Sequence, residues 1–152
     1  MAITWTNDLN TGIEVIDEQH KRIVDYINQL ETAMRSQDRD SVGRVMDELI
    51  DYTLSHFAFE ESLQEEAGYG FAKPHKAVHD AFSKRVAAYQ QKHNAGEDVA
   101  PQLHGMLCTW LLHHIRRDDM AYVSAVKHNM LDIVADKKSG GWLSNALGGF
   151  FK

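Results

Sequence analysis

The chain is 152 residues long, the size of one domain around one hydrophobic core. Sixteen Lys and Arg against 22 Asp and Glu leave a formal net charge of −6, the wrong sign for a surface that neutralises phosphates, so nucleic acid is excluded as a partner. No run reaches the roughly 18 consecutive apolar residues of a membrane span, and no basic and apolar leader is legible. The single cysteine, Cys108, rules out an internal disulfide and suits a reducing cytoplasm, where the protein is expected.

Few breakers interrupt the chain, and its apolar residues recur at helical spacing. The first predicted helix opens near Thr11, where Thr11-Gly12-Ile13-Glu14 has the spacing of a capping box, and carries Ile16, His20, Ile23, Ile27, Leu30 and Met34 on one face. The second runs from about Asp40 to Glu66, with Val42, Val45, Leu49, Thr53, His56, Glu60 and Leu63 at three- and four-residue steps, and closes at Gly68 and Gly70. Pro74 and Pro101 suit first helical turns and start the third and fourth helices. The third turns His75, Val78, His79, Phe82, Val86 and Tyr89 inward and stops by Gly96. The fourth, to about Val134, begins with Leu103, Leu107, Trp110 and His114 on one face. Four amphipathic helices with short connections predict an all-α, antiparallel up-down-up-down four-helix bundle. It occupies residues 1–135, including a short N-terminal arm with Trp5, and is followed by a tail over 136–152.

All four inner faces carry histidine. The pairs His56-x-x-x-Glu60 and His75-x-x-x-His79 each sit about 40° apart on one face and one turn apart, within reach of a common ion. Burying so many ionisable groups uncompensated would cost several kcal/mol for each charged one. Metal coordination removes that penalty. Five imidazoles and two carboxylates exceed one six-coordinate ion, whereas two ions sharing both carboxylates use them all. A set of N and O donors without thiolate suits iron, with manganese, copper and zinc also open.

The segments Asp17-Glu18-Gln19-His20, His56-Phe57-x-x-Glu60, His75-x-x-x-His79 and His114-Ile115-x-x-x-Asp119 resemble the ligand set of the bacterial hemerythrins, in the same order, over about Trp5 to Val134. The resemblance implies a non-haem di-iron centre, Fe2+ or Fe3+ with an oxo or hydroxo bridge, that binds O2 reversibly. Carried over by position, His75, His79 and His114 would hold one iron and His20 and His56 the other, with Glu60 and Asp119 bridging. The second iron then has an open position, where O2 would bind. Ile23, Phe57, Leu111 and Ile115 match the apolar residues that keep water from that position.

His114 and Asp119 are five residues apart, about 140° around a straight helix, whereas Asp118 is only about 40° from His114. The residues beyond favour Asp119. A straight register turns Ala121, Ala125, His128 and Asp132 inward, while a slip of one residue turns in Tyr122, Val126, Met130 and Ile133, the better core. A π-type widening between His114 and Asp119 is therefore expected, with Asp118 left near solvent. His93, His104, His113 and His128 read as structural or solvated, and Cys108 as a small apolar filler.

Three functional classes follow. An oxygen carrier or store, delivering O2 to an oxygen-consuming enzyme, is preferred because no signalling module accompanies the bundle. An oxygen or redox sensor acting through a partner would use the same site. A di-iron oxidase or peroxidase is disfavoured, since catalytic di-iron bundles carry carboxylate-rich shells with paired Glu-x-x-His motifs, so no enzymatic role is expected. Within the amphipathic tail, Trp142, Leu147 and Phe150 either cover the bundle or lie disordered, or residues 139–152 form a docking element for a membrane surface or a protein. The bundle offers no second large apolar face, so a monomer is expected.

Overall fold

The computed structural model describes residues 2–135; the tail expectations concern 136–152 and lie outside the described residues. Helices α1 (Glu14–Arg35), α2 (Arg39–Glu66) and α3 (Ala72–Asn94) precede a fourth rod made of α4 (Ala100–His114), a π-helical turn (Ile115–Asp119) and α5 (Met120–Ala135). A single 3-10 turn, Asn7–Leu9, lies ahead of them. α1 packs on α2 and α4, and α2 packs also on α3 and α5. The result is the expected antiparallel four-helix bundle.

The ends of the helices follow from local chemistry. Thr11 and Glu14 do not form a capping box, because the helix begins two residues later than such a box requires, with Ile13 at the N-cap. The closing acid is Asp17. Gly12, at φ +82°, turns the chain so that the Thr11 and Gly12 amides donate to the Asp17 carboxylate at 2.8 and 3.1 Å, with the Thr11 hydroxyl at 2.7 Å. Asp38 caps α2, accepting from the amides of Asp40 and Ser41. At the other end of α2, Gly68 adopts φ +67° and Tyr69 N donates back to Gln64 O, the left-handed closure that favours glycine. Pro74 and Pro101 lie in the first turns of α3 and α4, where no backbone bond is lost.

The stripes read from the sequence face inward and form two apolar clusters. The larger is built on Ile23, Ile27, Leu30, Val45, Met46, Leu49, Phe82, Val86, Leu103 and Leu107. The smaller, nearer the start of α1, holds Ile13, Ile16, Phe59, Leu63, Tyr122 and Val126. Tyr122 and Val126 are buried, whereas Ala121 and His128 are exposed, so the fourth rod does shift its register as expected. The N-terminal arm is tied down by a pair of hydrogen bonds between Asn28 and the Ile3 backbone, and by Asp8 to Arg116 at 2.8 Å on the π turn. No helix among the described residues is long and apolar enough to cross a membrane.

Candidate metal centre

Between the two apolar clusters lies a polar layer to which every helix contributes. α1 supplies His20; α2 supplies His56 and Glu60 one turn apart; α3 supplies His75 and His79 in the same relation. The fourth rod supplies His114 and, across the π turn, Asp119. All seven are buried. The widened turn decides between the neighbouring acids: Asp119 is 0% exposed and faces the cluster, while the Asp118 side chain is 40% exposed.

The donor atoms form two groups that share Glu60: Glu60, His75, His79, His114 and Asp119 in one, and His20, His56 and Glu60 in the other. Glu60 Oε1 lies 2.8 Å from His75 Nε2 and 3.1 Å from His79 Nε2, while Oε2 lies 3.2 Å from His56 Nε2 and 3.6 Å from His20 Nε2. Asp119 Oδ1 lies 3.2 Å from His75 Nε2 and 3.1 Å from His114 Nε2, and Oδ2 lies 3.0 Å from His20 Nε2. Each carboxylate thus presents one oxygen to a three-histidine side and the other to a two-histidine side.

The outer ring nitrogens decide what the inner ones can be. His79 Nδ1 is 2.8 Å from Glu61, His114 Nδ1 is 2.8 Å from Asp118, and His56 Nδ1 is 2.6 Å from the Gln19 amide oxygen. These oxygens accept, so each Nδ1 carries the proton and each Nε2 turns a lone pair inward. The His79 and His114 Nε2 atoms then stand 3.1 Å apart with no proton assigned between them. Both Asp119 oxygens and His20 Nε2 are buried without a hydrogen bond of acceptable geometry. Converging lone pairs and orphaned oxygens of this kind fit metal cations. Tyr122, fully buried, donates its hydroxyl to Glu60 Oε2 at 3.0 Å and orients that carboxylate.

Burial works against a charged His20 and His75, but the close carboxylates of Asp119 and Glu60 outweigh it and raise them to about 9 and about 10. Burial holds His56 below its ordinary value. Burial also opposes the charge on Glu60, and burial together with Glu60 opposes that on Asp119, yet the surrounding imidazoles hold both carboxyls below the usual range. Burial, and next the charges of Glu60 and Asp119, push Tyr122 far above the usual phenol value, so it stays a neutral donor.

A cavity of about 10 Å³, room for one water-sized molecule, lies against His20, His56 and His114. Ile23, Phe57 and Leu111 are among the residues that line it. Ile115, fully buried in the same apolar cluster as those three, is not among the residues that line this cavity. Ile27, Thr53, Phe82, Leu107 and Trp110 complete the lining. Sequence reasoning placed these five on inner stripes without assigning them here, because their spacing marks the face and not which neighbours meet across the bundle. It also left out Gln19, Glu61 and Asp118 as partners of the rings, although each is next to a donor residue in sequence. Of the remaining histidines, His93 and His104 are buried away from the cluster and His113 and His128 lie at the surface. Cys108 is partly buried, 3.7 Å from the His104 ring.

The Hemerythrin HHE cation binding domain matches residues 11–126. A bacteriohemerythrin of Pseudomonas aeruginosa is 52% identical over 149 residues, 98% of this chain and 97% of its own length. One from Methylococcus capsulatus is 35% identical over 79% of this chain and 93% of its own. A crystal structure of wild-type hemerythrin superposes with a TM-score of 0.79 at 33% identity, covering 83% of this chain and 98% of that one. The likeness to the Pseudomonas relative runs on past residue 135, so the tail is shared with it and does not stand outside the match.

Three outcomes follow from the geometry and charge of this layer. With His20 and His75 protonated up to about pH 9 and 10, a divalent cation must displace protons at neutral pH. Calorimetry in buffers of different ionisation enthalpy should record proton release on metal uptake, and affinity should rise with pH until those values are passed. The metal-free chain behaves oppositely: the stability these raised values confer is full below about pH 6.5 and lost as pH climbs through about 9 to 10. Removing the outer partner of His114 with Asp118→Ala should weaken metal binding about 10- to 100-fold in chelator competition, and Asp118→Asn, which still accepts, should weaken it less.

Proposed function

Since the chain belongs to the hemerythrin family, we propose that its seven buried donors hold two iron ions, bridged by an oxo or hydroxo group, and that the centre binds O2 reversibly for transport, storage or delivery. His75, His79 and His114 hold one ion, His20 and His56 the other, and Glu60 and Asp119 serve both. When bound, the iron pair supplies electrons to O2 and recovers them on release. The observation that carries this reading is the division of labour within each carboxylate, one oxygen toward each group of histidines.

The protein's own part is to hold and to exclude. Glu61, Asp118 and Gln19 keep the protons on the outer nitrogens, so the inner ones stay available to metal. Tyr122 fixes Glu60 from the side of the smaller apolar cluster. The cavity beside His20, His56 and His114 is otherwise walled by aliphatic and aromatic side chains, with Thr53 the one hydroxyl on the wall. Such a wall suits reversible capture better than turnover. A donor set of five histidines and two carboxylates supports the same non-enzymatic reading.

Anaerobic, reduced, iron-quantified protein should develop a visible charge-transfer band as O2 is admitted and lose it on purging, at two irons per chain. Irreversible oxidation at first exposure would replace this reading with a redox sensor or an oxidase. Glu60→Ala should lose both ions together, and retention of two irons with a reversible band would show that Glu60 does not bridge.

A further inference from the structure

A second hollow bears on the centre from outside. Between α2 and α3 the surface carries a groove of about 390 Å³, walled by apolar side chains that include Leu49, Ile50, Val86 and Ala87. Its floor includes Thr53, Phe82 and Leu107, and the same three residues form part of the wall of the small cavity against His20 and His56. They are 6%, 5% and 2% exposed, so a single layer of side chains separates the groove from the cavity.

The parts of this layer differ in freedom. The Phe82 ring stacks on Trp110 at 3.9 Å and meets Phe57 edge-on at 5.8 Å, and Trp110 in turn stacks on His114 at 4.3 Å. Three interlocked rings close the Trp110 side of the cavity and fix Phe82. Thr53 and Leu107 have no such stacking partner, and a rotamer change at either opens a gap of about one methyl group, enough for a diatomic gas. A mostly apolar groove, with Ser83, Lys84 and Gln90 its polar lining, over a floor whose one polar group is the Thr53 hydroxyl favours an apolar molecule over an ion.

We propose that O2 enters and leaves by the α2–α3 groove, crossing the floor between Thr53 and Leu107 beside the fixed ring of Phe82. The proposal rests on the O2-binding reading above. A door shapes rates and leaves the bound state alone, so a block there raises the barrier equally in both directions. Ala87→Trp fills the groove from an exposed position on α3, outside the donor set and the cavity wall. It should slow O2 association and dissociation together by about tenfold with Kd unchanged. Leu107→Val, which shortens the floor, should speed both.

A second measurement is independent of iron. In zinc-loaded protein, dissolved O2 under pressure should enhance the relaxation of the Ile27 methyl protons, which line the cavity, above that of the equally buried Ile16 in the smaller cluster. Occupancy of the cavity is an equilibrium quantity, so Ala87→Trp should leave this difference in place while slowing O2 exchange. Unchanged O2 association and dissociation rates in Ala87→Trp, or no enhancement at Ile27, would overturn the route. Enhanced relaxation of Ile27 in a protein whose iron form shows no reversible O2 band would sustain the cavity as the end of the route and overturn the O2-binding reading.

Discussion

Two carboxylates and five imidazoles share one buried layer, and the rest of the bundle is arranged around the need to satisfy them. Left to themselves, such groups would draw in water or unfold the layer, since an unpaired buried charge costs more than a few good packing contacts return. The apolar core is therefore split in two, with Ile23, Leu107 and Phe82 on one side of the layer and Ile16, Leu63 and Tyr122 on the other. Each cluster seals one face of the layer. The Asp17 clamp on Thr11 and Gly12 closes the chain just below it, and the Asp8–Arg116 pair ties the arm to the turn that carries Asp119.

The π turn is the clearest case of local backbone form following from the site. His114 and Asp119 are five positions apart, one more than a helical turn brings to the same face. Widening the helix resolves this and has three effects together. Asp119 swings in with both oxygens toward imidazoles, Asp118 moves to the rim where it can hold His114 Nδ1, and the following helix is re-phased so that Tyr122 and Val126 enter the core. Tyr122 then reaches Glu60, so the same shift that places one shared carboxylate also orients the other.

Much of this was legible in the chain because helical periodicity reports directly which face is inward. His20, His56, Glu60, His75 and His79 sit on stripes with Ile23, Leu49 and Phe82, and the quality of the two alternative faces after His114 was enough to anticipate the slip. What was not legible depends on relations between helices or on exact chain entry. Thr11 and Glu14 have the spacing of a cap, but the position of the first helical residue is set by Asp17 and by the turn at Gly12. Ile115 is apolar, next to His114 and buried in the same cluster as Ile23, Phe57 and Leu111, yet it does not line the cavity. The wall contributed by Thr53 and Leu107 arises where α2, α3 and α4 meet, and no spacing within one helix states which neighbours close a hollow.

The layer is also polarised, which bears on how it can serve reversible binding. On the three-histidine side, the outer nitrogens of His79 and His114 rest on carboxylates, Glu61 and Asp118, that are themselves 23% and 40% exposed. Through them that side reaches the protein surface. On the two-histidine side, His56 rests on the neutral amide of buried Gln19, and His20 Nδ1 has no hydrogen-bond partner. The cavity lies against both sides, touching His20 and His56 and also His114. The carboxylates behind His79 and His114 strengthen those rings as donors more than the amide behind His56 does. The two shared carboxylates thus join a side whose outer ring partners reach the surface to one whose partner, Gln19, is buried, and the small cavity sits where the two meet.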